Sequence, residues 1–330
     1  MAGPVPMAEL WRGGLLESSH MGHAVICDAN GIVDAWGDPA AVIFPRSSCK
    51  MIQALPLLES GAAAAAGLTD AQVALACASH QGAAVHTEMV TRWLGDLGLT
   101  EAALRCGAHE PYDKDARDGL ILAHDAPCQI HNNCSGKHSG FLTLNKHLGG
   151  HADYVELDHP VQKAVLAATE EVTAESVAGH GIDGCSAPNF AVSIGGLAHA
   201  MAGFATARDT GSVREQAMHR LTRAMATHPA LVAGEGRACT ELMRAMGGRV
   251  AIKTGAEAVF VAILPEQGLG MALKIVDGGT RGAEAAITAL LVRAGVLDAS
   301  HPAAMKRLNA VQRNWRGVDA AIVTTAPGFA

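Results

Sequence analysis

The chain has 330 residues, a formal net charge of −7, 49% hydrophobic residues and 4% aromatic residues. This apolar content supports a large, mostly aliphatic core and excludes a disordered chain. Because lysine and arginine form no basic run, we expect neither nucleic acid nor an anionic membrane as a partner.

Two further patterns bear on the location of the protein. No stretch of about 18 apolar residues is present, so the sequence predicts no membrane-spanning helix. The N-terminal residues lack a basic segment followed by an apolar run, and we expect no signal peptide. The eight cysteines include no pair with CxxC spacing. We therefore expect reduced thiols in a soluble, cytoplasmic protein.

The first predicted element is a β-hairpin within residues 22–36, because two β-type runs flank the turn-forming pair Asn30-Gly31. A helix is predicted to begin at Ser47, with a kink at Pro56. Further helical patterns cover residues 69–78, 85–97, 136–147, 160–174, 213–227 and 235–246. The segments 106–134 and 181–189 are predicted to be loops, since glycine, proline and asparagine are frequent in them.

From residue 249 the pattern changes to three successive β-type runs, followed by a helix that ends at Gly295. We therefore predict an α/β fold of the α+β type in one domain, residues 1–330. Strands near 20–36 and 249–278 form a mainly antiparallel sheet from both chain ends. A largely helical middle region, about 47–247, packs on the faces of this sheet.

Two short motifs contain the first candidate catalytic groups. Ser47 and Lys50 are three residues apart, which on a helix places both side chains on one face. A partly desolvated lysine can be neutral there and accept the serine proton. Lys253-Thr254-Gly255 ends a later β-type run, where Gly255 would let a substrate lie against the strand. Each motif alone is weak, but both in this order are typical of serine hydrolases that recognise penicillins.

Three polar segments supply further candidates. Cys134 and His138 are four residues apart, which is a candidate spacing for a metal pair, whereas a helix cap and a packed thiol are the alternative. Asp183 and Cys185 lie in a Gly- and Pro-rich segment, and this second thiol makes a shared metal conceivable. Ser79 follows a predicted helix, where it is either a second active-site hydroxyl or an ordinary C-terminal helix residue.

Together these motifs resemble the bacterial asparaginase II family of the Rhizobium etli type, over about residues 8–327. The matching segments are RGGLLESSH (12–20), GDPAAVIFPRSSCKMIQALPLLESG (37–61), CASHQG (77–82), NNCSGKHSGFL (132–142), GIDGCSAPNF (181–190) and KTGAE (253–257). The resemblance implies hydrolysis of L-asparagine to L-aspartate and ammonia, a fold like that of serine β-lactamases and glutaminases, and a homodimer. Ala258 departs from the family, in which glycine is usual at this position.

The resemblance also implies roles for individual residues. It places two Ser–Lys pairs in one pocket, Ser47 with Lys50 and Ser79 with Lys253. It implies a Zn²⁺ site close to the serines, with the ligands Cys134, Lys137 and Cys185. Spacing alone would select His138 rather than Lys137 as a ligand, and the choice stays open. The substrate pocket is expected to include Arg46, His138, Asp183, Gly255 and Glu257, with Arg46 against the substrate carboxylate.

The mechanism expected at this point has Ser47 attack the amide carbon with Lys50 as its base, which gives a β-aspartyl ester. The Ser79–Lys253 pair would then protonate the departing ammonia, although Ser79 as nucleophile is an open alternative. Because two lysines in one pocket repel each other, the pKa of at least one should fall. The competing functions are a glutaminase, a β-lactamase-like amidase, and a non-catalytic protein that binds an amino acid or zinc.

Overall fold

The structure is a computed structural model that describes residues 2–330. Strands from both ends of the chain form one sheet of eight strands, in which every pairing is antiparallel. The strands of the protein are β1 (Val5–Arg12), β2 (Leu15–Asp28), β3 (Gly31–Trp36), β4 (Val42–Ile43), β5 (Gly179–Ile182), β6 (Pro188–Ser193), β7 (Ala251–Gly255), β8 (Val259–Leu264), β9 (Leu269–Ile275), β10 (Asn309–Arg313) and β11 (Asp319–Thr325).

The order of strands in the large sheet is β10-β11-β1-β2-β9-β8-β7, and β3 pairs with the second half of β2. The β2–β3 hairpin turns at Asn30, which confirms the predicted hairpin. The predicted combination of a mainly antiparallel sheet from both chain ends with packed helices is also confirmed.

Helices make up most of the middle of the chain. They are α1 (Lys50–Gln53), α2 (Leu55–Glu59), α3 (Ala62–Ala65), α4 (Asp70–Ala76), α5 (Ala84–Asp96), α6 (Lys114–Ala123), α7 (Ser135–Leu148), α8 (Pro160–Thr173), α9 (Ile194–Thr206), α10 (Val213–Thr227), α11 (Pro229–Val232), α12 (Ala238–Ala245), α13 (Thr280–Arg293) and α14 (Pro302–Leu308). Pro160 begins α8, as its position predicts, because the first residue of a helix needs no backbone N–H partner. Within residues 2–330, no helix combines the length and the apolar character needed to cross a membrane.

Four predicted features differ from the structure, each for a local reason. The sheet also contains β1, β10 and β11, and β10 is so exposed that its residues carry no apolar alternation. The supposed loop 106–134 contains α6, which buries no residue and whose large apolar residues, 120–122, are consecutive and not at helical spacing. The supposed loop 181–189 includes parts of β5 and β6, which pair with each other around a short turn. Ser47 lies in a 3-10 turn, Arg46–Cys49, rather than in a regular α-helix.

The middle region is consequently not purely helical. Strands β4, β6 and β5 form a second, three-stranded sheet. Its central strand, β6, is almost completely buried and leads directly into α9. This small sheet therefore connects the segment before Ser47 to the turn that carries Cys185.

Helix α9 packs directly on the large sheet. Gly270 of β9 lies so close to α9 that a Cβ atom at this position would overlap the backbone of Met201 and Ala202. On β2, Cys27 contacts the N-terminal part of α9 through the Gly195 carbonyl, while His20 packs against α13. Cys27 and His20 are seven residues apart on β2, and side chains alternate between the two faces of a strand. The helices α9 and α13 therefore cover opposite faces of the sheet.

We predict that Gly270→Ala destabilises the protein by about 1–3 kcal/mol, because the added methyl group forces α9 away from the sheet. Urea unfolding measures this change. Gly119→Ala is the matched control, since a Cβ there meets nothing within 4 Å on exposed α6. Its expected effect is a small gain in stability, of about 0.5–1 kcal/mol. Equal unfolding midpoints for the two variants would contradict the prediction.

Candidate active site

Two lysine side chains converge on the hydroxyl group of Ser79. The Lys253 amine lies 2.9 Å from Ser79 Oγ, and the Lys50 amine lies 3.1 Å from the same atom. Lys253 occupies the middle of edge strand β7 and is in register with Val261 on β8. Ser79 lies just beyond the end of α4, and Lys50 is the first residue of α1. Three segments distant in sequence therefore build one cluster.

The burial of these lysines is unusual for charged side chains. Lys50 is 1% exposed and Lys253 is 0% exposed. The Lys253 amine also donates a hydrogen bond to the Thr254 carbonyl. The Lys50 amine also donates to the Ala78 carbonyl and to the Cys134 thiol. Burial, together with the positive charge of Lys50, lowers the pKa of Lys253 to about 7. A neutral amine is thus available next to Ser79 near neutral pH.

Ser47 is placed differently from the expectation based on spacing. It is half-buried in the 3-10 turn, and the hydrogen-bond partners of the Lys50 amine are Ser79, Ala78 and Cys134, not Ser47. The structure therefore brings Lys50 to Ser79 and does not join Ser47 to Lys50 by a hydrogen bond. The sequence spacing missed this because it assumed a regular helix from Ser47 onward.

Gly255, the last residue of β7, lies against the turn that contains Ser47. A Cβ atom at position 255 would lie 2.6 Å from the carbonyl oxygen of Pro45 and 3.3 Å from the backbone nitrogen of Ser47. The close approach that this glycine permits is therefore between two segments of the chain itself, and not between the strand and an open pocket. Gly255 sets the distance from the turn to the Lys253 strand.

The predicted ligand residues lie next to the lysine–serine cluster. Cys134 immediately precedes α7, and its thiol is 3.1 Å from the Lys50 amine. The Lys137 amine, in the first turn of α7, is 3.0 Å from the Cys185 thiol. A hydrogen bond from Cys134, together with the positive charge of Lys137, holds the pKa of the Cys185 thiol well below its usual range. Two thiols and one amine are thus brought together.

His138, on α7, lies close to the Cys185 thiol. Its Nδ1 atom is 2.9 Å from the hydroxyl group of Tyr154, while Nε2 is buried without a hydrogen-bond partner. Burial lowers the pKa of His138, although the nearby Cys185 thiol acts in the opposite direction. The sequence did not single out Tyr154, because a lone tyrosine carries no motif.

The donor set is chemically suited to zinc. Thiolate sulfur and nitrogen are the ligands that Zn²⁺ takes in structural and catalytic sites. Within residues 2–330, no group of three or more His, Cys, Asp or Glu side chains is arranged to hold a metal ion. The sulfur and nitrogen donors that lie together here are the thiols of Cys134 and Cys185 and the Lys137 amine. Burial opposes the charge on Lys137, but the two thiols outweigh it and raise the pKa of this amine. A metal ion that took the amine as a ligand would have to displace its proton.

The remaining predicted pocket residues are more exposed than the lysine–serine cluster. Arg46 binds Asp183 through two nitrogens, at 3.0 and 2.8 Å, and both side chains are partly exposed. Glu257 is exposed and has a φ of 59°, as does Ala258. The left-handed conformation explains why glycine is usual at position 258 in the family that the sequence resembles. The Lys274 amine donates a hydrogen bond to the Glu257 carbonyl and braces this turn.

A known protein family and several solved structures are similar to this chain. The family described as L-asparaginase II matches residues 8–325. Curated proteins gave no match to the sequence. Similar solved structures include a β-lactamase from Mycobacterium bovis, with 13% identity, a TM-score of 0.43, and coverage of 82% of this chain and 94% of that one. Another is the protein Mglu, with 12% identity, a TM-score of 0.47, and coverage of 84% and 67%. Since the family match spans almost the whole sequence, the chain belongs to the L-asparaginase II family.

Proposed function

We propose that this protein hydrolyses the side-chain amide of L-asparagine to L-aspartate and ammonia, through a serine that is activated by lysine. Family membership supports an amidohydrolase that acts on a small amide. The observation that carries the proposal is the Ser79 hydroxyl, held at 2.9 Å by Lys253 and at 3.1 Å by Lys50. A hydroxyl next to a neutral amine is the arrangement required of an activated nucleophile.

In this proposal Ser79 Oγ attacks the amide carbon while the neutral Lys253 amine takes the hydroxyl proton. Lys50 stays close to the oxygen and stabilises the negative charge that develops. The carbon–nitrogen bond then breaks, and the Lys253 ammonium returns the proton to the departing nitrogen, which leaves as ammonia. Water cleaves the aspartyl ester on Ser79, and Lys253 again serves first as base and then as acid.

The partly exposed ion pair of Arg46 with Asp183 suits a zwitterionic substrate. Arg46 matches the α-carboxylate, and Asp183 matches the α-ammonium group. In the free protein the two side chains satisfy each other. The substrate would separate them and take both partners, which favours a small amino-acid amide over a neutral amide.

We further propose that Cys134, Lys137 and Cys185 hold a Zn²⁺ ion beside the serine cluster. A bound zinc ion would add positive charge close to the site of attack. The nucleophilic attack, the proton transfers and the stabilisation of charge are carried out by Ser79, Lys253 and Lys50. Homodimer formation, which the resemblance implies, is supported by exposed apolar side chains at the hairpin ends of the large sheet, including Leu15 and Trp315.

The first test is ammonia release by purified protein from L-asparagine, with L-glutamine in parallel. We expect faster release from L-asparagine, because one methylene group is worth about 1–3 kcal/mol of discrimination in a pocket. Ser79→Ala should lower kcat by about a thousandfold or more. Ser47→Ala tests the alternative nucleophile, and Ser60→Ala, whose hydroxyl binds a carbonyl at the end of α2, is the control.

The outcomes of this test separate the competing functions. Preference for L-glutamine would indicate a glutaminase, and turnover of nitrocefin would indicate a β-lactamase-like amidase. Binding of L-asparagine without turnover would indicate a non-catalytic binding protein. Trapping of the acyl group on the Ser47 hydroxyl, shown by mass spectrometry, would reverse the roles of the two serines.

A second prediction concerns pH. Because Lys253 must be neutral to accept the proton, kcat/KM should fall as the pH drops through its pKa of about 7. The expected slope is about tenfold per pH unit below that value. Lys253→Met should abolish most activity at every pH. Lys146→Met is the control, since that amine binds the Leu97 carbonyl on the surface, and its profile should match the unmodified protein. A value of kcat/KM that stays constant down to pH 5 would contradict the role of Lys253 as the general base.

A third prediction concerns the metal. Purified protein exposed to Zn²⁺ should retain one ion per chain after dialysis, measured by elemental analysis. Cys134→Ser and Cys185→Ser should each lose it, because a thiolate ligand is removed. Lys137→Ala tests the amine against His138→Ala, and only the former is expected to release the ion. Cys27→Ser, on β2, is the control and should bind normally. Retention of zinc by Cys134→Ser would refute the proposed ligand set.

A further inference from the structure

Asn189 has a buried amide side chain that binds the first residue of the turn Arg46–Cys49, which carries Ser47. It lies on β6 and is 2% exposed. Its Oδ1 atom accepts a hydrogen bond from the backbone N–H of Arg46 at 3.2 Å. Arg46 has a φ of 52°, a left-handed conformation that is unfavourable for a residue with a side chain. Asn189 thus supports a strained backbone at the first residue of the turn that carries Ser47.

The nitrogen of the same amide has no partner. Nδ2 of Asn189 is buried and makes no hydrogen bond within residues 2–330. Its orientation is determined by the chain, because a flipped amide would place its NH₂ group against the N–H of Arg46. Asn132 shows the ordinary case, since its Nδ2 donates to the carbonyls of Cys106 and Gly107.

An unpartnered buried donor is costly. Leaving such a group unsatisfied costs about 1–3 kcal/mol, and the great majority of buried polar groups do have partners. Nδ2 of Asn189 is part of the same amide whose Oδ1 binds the Arg46 backbone. This amide therefore lies next to Ser47 and to the Arg46–Asp183 ion pair. A ligand that enters between these side chains can supply the missing acceptor.

We propose that Nδ2 of Asn189 donates a hydrogen bond to an oxygen atom of the bound amide substrate, and so helps to determine which substrates are accepted. This inference rests on the amidohydrolase function proposed above. A small amino-acid amide carries two kinds of acceptor oxygen, those of the α-carboxylate and that of the amide carbonyl. Because Nδ2 is closed off from solvent in the free protein, binding requires side chains near it to move.

The test uses Asn189→Asp, which keeps the oxygen that binds the Arg46 N–H and replaces the donor with an acceptor. We expect kcat/KM for L-asparagine to fall about tenfold or more, because a donor becomes a repelling group. Asn145→Asp is the matched control. Asn145 is also buried and has an unpartnered amide atom, but its Nδ2 binds the His151 carbonyl away from the site. That variant should keep the kinetic constants of the unmodified protein.

The kinetic pattern distinguishes the two oxygen sources. If Nδ2 binds the α-carboxylate, KM rises with little change in kcat, and the effect disappears with 3-aminopropanamide, which lacks that carboxylate. If Nδ2 binds the amide carbonyl, kcat falls with both substrates. A protein in which Asn189 only braced the Arg46 turn would show neither pattern, since the retained oxygen preserves that contact. Unchanged kinetic constants in folded Asn189→Asp would overturn the inference.

A second variant and a binding measurement distinguish failure of this inference from misfolding and from failure of the proposed function. If Asn189→Asp does not fold, Asn189→Ser removes the amide donor without adding charge, and unchanged kinetics there overturn the inference. If the unmodified protein releases no ammonia from L-asparagine or L-glutamine, the proposed function fails on its own. In that case the rise in melting temperature on addition of L-asparagine is measured for both proteins. A rise in the unmodified protein that Asn189→Asp lacks supports the inference, whereas equal rises, or no rise in either protein, overturn it.

Discussion

Two lysine amines are buried against one serine hydroxyl, and the surrounding chain has to compensate for their charge. A buried ammonium group loses several kcal/mol of solvation, and a second positive charge nearby adds repulsion. Lys50 and Lys253 are both fully buried, so the surrounding chain must keep at least one of them neutral. A neutral amine is a base. The arrangement that costs stability therefore also provides the base on which the proposed mechanism relies.

The fold meets this constraint by joining distant segments through backbone contacts. Ser79 is held by a hydrogen bond from its backbone N–H to the carbonyl of Val232. Lys253 is held by the pairing of β7 with β8, and Gly255 lets the turn before Lys50 approach the same strand. None of these contacts depends on the reacting side chains themselves. The scaffold can therefore hold the amines close together against their repulsion.

The lysine–serine cluster and the thiol cluster form one connected network. The Lys50 amine contacts both Ser79 and Cys134, and the Lys137 amine contacts Cys185. Amines and thiols lie side by side, so negative charge on Cys185 stabilises a nearby ammonium group. Because the groups share partners, substitutions in the two clusters will not have additive effects. The charge state of one cluster influences the other.

Local sequence determined the elements whose signals lie within a few residues. The Asn30-Gly31 turn, the helix that begins at Pro160 and the three strands after residue 249 follow from backbone preferences and apolar periodicity. Motif resemblance determined the family and most of the candidate residues. Strand β10 and the pairing of β5 with β6 were missed, because exposed or glycine-rich strands form through hydrogen bonds to a partner strand and carry no apolar alternation of their own.

Only the tertiary structure decided which groups meet. Spacing joined Lys50 to Ser47, whereas packing carries the Lys50 amine to Ser79, 29 residues further along the chain. The partnership of Arg46 with Asp183 and the unpartnered amide of Asn189 also arise between segments that are remote in sequence. A sequence records the types of side chain and their local spacing. The distances between groups on separate elements depend on how the whole core packs, and hydrogen bonds form only at those distances.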